Sequence, residues 1–309
     1  MNEVFQQALR AEDLDAIRRC PKTDLHNHGW AGADPASVGE ILGMRVAPLD
    51  HKLTSMDEMH AWAGQHFGKI DPKLRPSLFE AAFVRAAEDG LVRFELGDDV
   101  WATTLDGSAE NVTDILKRAH ARGAPDVEWI PQLGMSRHCR IEDIRRWMEP
   151  FLALRFYRTL DLSGDEFAQP IENFKPLYRL AKANGLRLKA HVGEWGDADS
   201  VRRAVEELEL DEVQHGIAAA DSPSVMRFLA EHRIRLNICP TSNLMLGRVE
   251  TLASHPIRKL FDAGVRVTVN TDDMAMFGQS VSHEFLNLYR ARCLNEIELD
   301  QIRENGFSD

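Results

Sequence analysis

Eight short apolar runs, separated by amphipathic stretches of helical period, predict a (β/α)8 barrel with extra helices between its first and second strands. The runs fall at residues 23–28, 91–96, 127–133, 158–162, 186–191, 212–215, 235–239 and 266–270. The stretches between them, at 109–123, 171–185, 200–210, 222–232 and 255–264, repeat apolar residues at helical spacing. Strand–helix alternation of this kind builds a parallel sheet. Gly123, Gly185 and Gly264 each precede a run, where a helix C-cap belongs. Ser222-Pro223 and His255-Pro256 read as helix starts. A doubly wound sheet competes, but no GxGxxG opens a helix after the first run. The interval between the first two runs is too long for one crossover. Residues 36–44, 56–67 and 76–89 each look helical there, so they are expected to cover one mouth of the barrel. The residues at 304–307 predict a shortened terminal helix. With no linker, repeat or low-complexity tract, residues 1–309 are expected to form one domain.

The composition narrows the function. The 309 residues carry 37 Lys+Arg against 49 Asp+Glu, a net charge of −12. That balance argues against nucleic acid or an anionic membrane as partner and leaves a small neutral or cationic substrate open. The acidic, mixed N-terminus predicts no signal peptide, and no run approaches the roughly 18 apolar residues of a membrane span. Cys20, Cys139, Cys239 and Cys293 lie far apart with no CxxC, so disulfides are not expected and a cytoplasmic location is.

In a barrel, reactive residues gather at the C-terminal ends of the strands. The first run ends in His26-Asn27-His28, and residues two apart on a strand share a face. The fifth ends in His191-Val192-Gly193-Glu194 and the sixth in Gln214-His215-Gly216. The eighth ends in Asn270-Thr271-Asp272-Asp273. Each alone has a bland reading: a surface histidine pair, a core histidine, a helix N-cap. Together they place imidazoles and paired carboxylates at one point. Adjacent carboxylates there repel unless a cation or a proton neutralises one, and neutral imidazole suits zinc, iron or nickel.

The ordered motifs PKTDLHNH, SGDE, HVGE, QHG, CPTSN and NTDD resemble the adenosine deaminase family of metal-dependent amidohydrolases. The resemblance runs from Pro21 to about Phe307 and is densest over residues 174–285. It implies that His26, His28, His191 and Asp272 hold one divalent metal, Zn2+ or alternatively Fe2+. It implies that Glu194 protonates the purine N1 and that His215 orients the metal-activated water and handles its proton. Asp273 would meet N7, and the Gly164 backbone would meet N3. The activity implied is hydrolytic deamination of a 6-aminopurine nucleoside or related aminated heterocycle, giving the 6-oxo product and ammonia.

Two departures from the family pattern concern the rest of the substrate. Trp30 stands where adenosine-specific members place an Asp on the ribose 5′-hydroxyl, and an indole offers one donor and no acceptor. Glu95-Leu96-Gly97-Asp98-Asp99 lacks the family's basic residue after the glutamate. Trp30 is therefore expected to line a rebuilt pocket; packing beneath the helices at 36–44 and 56–67 is the other reading. Arg137-His138 either lines the mouth of the site or is a solvated loop, Pro240–Asn243 is expected to shape the rim, Trp195 either caps the pocket or packs, and Met56–Met59 reads as a helix face. Two alternative functions stand beside deamination. A hydrolase of amides or esters with a lysine-bridged metal pair lacks its lysine, since Lys189 lies too deep. A non-catalytic relative would have lost a ligand or Glu194, and none is missing.

Overall fold

The structure is a computed structural model that describes residues 3–68 and 70–308. Its eight strands are β1 (Lys22–Asp24), β2 (Leu91–Asp99), β3 (Glu128–Ser136), β4 (Thr159–Ser163), β5 (Arg187–Val192), β6 (Glu212–His215), β7 (Arg235–Ile238) and β8 (Arg266–Val269). Each pairs in parallel with the next, in the order β1-β2-β3-β4-β5-β6-β7-β8. Between β8 and β1 the described backbone makes one isolated bridge, Asn27 with Asp272. Every expected strand is present, and the helices outside them form the outer ring.

The helices Pro35–Leu42, Met56–Phe67 and Arg75–Glu88 lie between β1 and β2. The first starts on Asp34, whose carboxylate accepts from the N–H groups of Ala36 and Ser37. The second starts on Ser55, which caps Glu58 N–H. Gly185 and Gly264 adopt φ of +80° and +77° just after their helices, as a C-cap requires. Gly123 does not. It is the last residue of the helix Ala109–Gly123, and a side chain there would meet the Glu80 carbonyl at 2.7 Å and Phe83 Cβ at 2.8 Å. Its glycine serves close helix packing rather than a left-handed turn.

The strands are nearly continuous in burial, as a sheet covered on both faces demands. Their outward residues, such as Leu160, Leu188, Val213, Leu236 and Val267, join the core under the helices. The lumen is polar. Lys189 is fully buried between Glu95 and Glu212, with its Nζ bonded to the Glu95 carboxylate and 3.0 Å from Glu212 Oε2. Arg235 holds Glu212 from the other side at 2.6 Å, and Gln132 and Thr159 donate to Glu95 Oε1 at 3.0 and 2.7 Å. Asn237 donates to Glu212 and Gln214, both at 2.8 Å. The sequence places Lys189 too deep to bridge metals, and there it lies, as the counter-charge of this layer.

Removing that charge leaves two buried carboxylates facing each other. Lys189→Ala is expected to destabilise the fold by about 3–5 kcal/mol, read as a lower denaturant midpoint. A loss well under 1 kcal/mol would contradict the ion-pair assignment.

Candidate metal and active site

β1 delivers His26 and His28 to the barrel mouth, where both meet His191, the penultimate residue of β5. The Nε2 atoms of His26 and His191 are 3.0 Å apart, and those of His28 and His191 are 3.1 Å apart. Asp272 brings Oδ1 to 3.1 Å from His28 Nε2 and 3.7 Å from His26 Nε2. These four donors form one cluster able to hold a metal ion.

The partners of the other ring nitrogens decide what the cluster requires. His26 Nδ1 donates to the Asn237 carbonyl at 3.0 Å, and His191 Nδ1 donates to the Asp161 carboxylate at 3.1 Å. Burial pushes the His26 pKa down to about 3, so the ring is neutral. A neutral imidazole has one N–H. With that proton at Nδ1, the two Nε2 lone pairs face each other across 3.0 Å. The contact is repulsive unless a cation sits among them. Three imidazoles and a carboxylate, with second-nitrogen partners fixing the tautomers, fit a divalent metal.

Glu194 and His215 stand beside the cluster. The chain turns after β5 through Gly193 (φ +71°), and the buried Glu166 carboxylate clamps the turn. It accepts from the N–H groups of Gly193, Glu194 and Trp195 at 2.8, 2.8 and 2.7 Å. Burial, then the nearby Asp272 and Glu166, push the Glu194 carboxyl well above the usual carboxylate range. His215 Nε2 lies 3.5 Å from Glu194 Oε1 and 3.7 Å from Asp272 Oδ2. A hydrogen-bond chain sets its tautomer. Ile257 N–H donates to His255 Nδ1, His255 Nε2 donates to Asn243 Oδ1, and Asn243 Nδ2 donates to His215 Nδ1, at 3.1, 3.3 and 3.2 Å. The His215 proton is therefore on Nε2, facing the cluster. Both His215 and Asp272 take left-handed backbone, φ +62° and +65°, at about 1–3 kcal/mol each. His and Asp are among the side chains that tolerate it best.

A cavity of about 220 Å³ opens above these groups. Trp30, Gly164 and Asp273 line it, with His28, His191, Glu194, His215 and Asp272 at its base. Burial, with neighbouring Asp272, pushes the Asp273 carboxyl up to about 6 against the pull of His28. Trp30 sits on a short 3-10 turn, packs edge-on against Phe67 at 4.5 Å and also forms cavity wall, so both sequence readings hold in part.

Several sequence readings are corrected. Met56 and Met59, with His60 and Ala63 of the same helix, are cavity wall and not merely a helix face. Arg137 neither lines the cavity nor lies in solvent. It is buried, with its guanidinium donating to the carbonyls of Glu166 and His191, both at 2.8 Å. Pro240–Met245 is a helix whose first four residues are buried, and Asn243 serves the site from behind. Trp195 packs beside Leu53, Leu246 and Met276 under the Arg248 guanidinium. Asp161, Glu166, Asn237 and the His255–Asn243 pair went unassigned in the sequence. A carboxylate inside the apolar β4 run was the signal for Asp161, and the SGDE and CPTSN motifs already contained Glu166 and Asn243.

The family described as adenosine deaminase matches residues 79–309. An adenosine/adenine deaminase assigned in Treponema pallidum is 34% identical over 94% of this chain and 98% of its own length. Aminodeoxyfutalosine deaminase of Streptomyces avermitilis is 39% identical over 97% of this chain and 89% of its own. Among solved structures, an amidohydrolase from Burkholderia ambifaria with bound zinc superposes with a TM-score of 0.80 at 20% identity, covering 96% of this chain and 87% of that one.

Protein purified without added metal is expected to carry about one divalent ion per chain by elemental analysis, the content of one four-donor set that leaves a position open for water. His191→Ala should lose it. Two ions per chain, or a full complement in His191→Ala, contradicts the cluster.

Proposed function

The chain belongs to the adenosine deaminase family, and from that premise we propose how its own residues remove the 6-amino group of an aminated purine by hydrolysis. The observation that carries the reading is the buried Glu194, its carboxyl pushed well above the usual carboxylate range, beside the cluster of His26, His28, His191 and Asp272. His26, His28, His191 and Asp272 would hold the ion, with zinc the best fit and Fe2+ second. A divalent ion there supplies hydroxide from water near neutral pH.

Glu194 gives its proton to the ring nitrogen beside C6, which makes the ring an electron sink as oxygen adds to the carbon. His215, with its proton on Nε2, donates to the incoming oxygen and holds it. The C6–N bond then breaks. Glu194's proton stays on the ring as the product N–H, one proton of water leaves with the amine as ammonia, and the other restores Glu194. Asp273, with its raised pKa, can donate to N7, and Gly164 (φ +93°) lets backbone meet the ring edge without a side chain. Lys189 is sealed in the lumen and does not reach the mouth, which speaks against a lysine-bridged metal pair.

The remaining cavity wall supports an uncharged substituent. Trp30, Met56, Met59 and Ala63 are apolar, and no lysine or arginine lines the cavity among the described residues. The Arg75 guanidinium, behind the lining residue Asp98, is already bound by Asp98 and Asp106. A phosphate would find no lysine or arginine in the wall, and the indole itself offers a free hydroxyl no acceptor. The four cysteines are free, which suits a reducing cytoplasm, and no described helix is long and apolar enough to cross a membrane.

Two measurements test this. Glu194→Gln is expected to lower kcat by roughly 10²–10⁴-fold with metal content unchanged; near wild-type turnover would remove the proton-donor role. An unpartnered 5′-hydroxyl at Trp30 costs about 1–3 kcal/mol, so 5′-deoxyadenosine should exceed adenosine in kcat/KM by roughly 5- to 150-fold. Trp30→Asp should move that ratio toward adenosine, and an unchanged ratio sinks the assignment.

A further inference from the structure

The ion's four donors straddle the one place where the barrel lacks a backbone ladder. The described strands elsewhere pair over two to seven registered positions, whereas β8 and β1 share only the Asn27–Asp272 bridge. Side chains stitch the rest of that seam. Leu25 N–H donates to Asn270 Oδ1 at 2.8 Å, beside the bridge's own backbone bond from Asp272 N–H to the His26 carbonyl at 2.9 Å. Asn27 Nδ2 donates to Thr271 Oγ1 at 3.0 Å. Asp24, 1% exposed, accepts from Thr271 Oγ1 at 2.5 Å, from Thr271 N–H at 3.4 Å and from His26 N–H at 3.3 Å. One carboxylate thus grips the backbone of a ligand on the β1 side and the residue preceding a ligand on the β8 side.

We propose that Asp24 is a positioning residue that holds His26 and Asp272 in register across the β8–β1 seam, and that the bound ion is the clasp that closes the barrel there. The proposal rests on the ligand assignment above. His26 and His28 leave from one edge of the seam, Asp272 from the other, and His191 stands across the mouth on β5. An ion held by all four links both edges through bonds far stiffer than the single bridge. Asp24 touches no ligand atom and acts through the backbone and Thr271. Its removal therefore separates the two halves of the donor set without deleting a donor.

The test needs no substrate. Zn2+ affinity is measured by chelator competition for wild type, Asp24→Ala, Thr271→Val and Thr271→Ser, with Tm for the zinc-free and zinc-loaded forms and amide exchange for both. Asp24→Ala and Thr271→Val should each weaken Zn2+ binding by roughly 10- to 100-fold, and Thr271→Ser, which keeps the hydroxyl, should restore it close to wild type. The gap in Tm between loaded and free protein should shrink in the two weakened variants. In wild type, zinc should slow exchange at the amides of Leu25, His26, Thr271 and Asp272 more than elsewhere in the strands. Unchanged Zn2+ affinity in both Asp24→Ala and Thr271→Val, or an equal fall in free and loaded Tm, overturns the proposal. A chain that binds zinc in this pattern but deaminates no aminopurine upholds the seam and overturns only the activity.

Discussion

Two unprotonated imidazole nitrogens held 3.0 Å apart are the constraint around which the mouth of this barrel is organised. Neither ring can turn away, because Asn237 O and Asp161 hold the opposite nitrogens. His26 cannot take up a proton readily, because burial disfavours its charged form. The arrangement persists without a proton only if a cation satisfies it. That accounts for features otherwise costly to a fold: left-handed backbone at His215 and Asp272, and a carboxylate buried within β4.

Rigidity at the mouth comes from the charged layer below. Glu95, Lys189, Glu212 and Arg235 alternate in sign across four strands, and their hydrogen-bonding capacity is filled by Gln132, Thr159 and Asn237. A buried ionic layer of this kind is weak evidence for stability but strong evidence for register, since a one-residue slip of any strand would strand a charge among apolar side chains. Asn237 links the layers: its side chain belongs to the lumen network, and its carbonyl orients His26.

Proton placement follows from the same surroundings. Burial and neighbouring carboxylates favour the protonated form of Glu194, and the chain Ile257–His255–Asn243 sets which His215 nitrogen carries hydrogen. An acid and a donor therefore face one cavity at neutral pH, where two ordinary solvated groups of these types would not both present hydrogen. The Glu166 carboxylate adds geometry to this, since three N–H groups of one tight turn bind it and aim Glu194.

The sequence alone determined the barrel, its eight strands to within a few residues, the extra helices after the first strand and the residues at the strand ends. These are local properties: period, strand-end chemistry and turn residues are written in contiguous stretches, and the barrel topology brings strand ends together whatever their separation. The order of short motifs similarly made the family legible. What orients those residues was not legible, because each partner comes from a distant segment of the chain. Asp161 serves a histidine 30 positions away, Asn243 is held by a histidine beyond the next turn, and Arg137 buries its charge against the carbonyls of Glu166 and His191. Gly123 looked like a cap and proved a packing contact, since a helix end and a helix–helix approach call for the same missing side chain. The helix Met56–Phe67 read as one face of residues, and only its placement over the mouth turned Met56, Met59 and His60 into cavity wall. Periodicity reports that a face is apolar; which surface that face meets is decided when the whole chain closes.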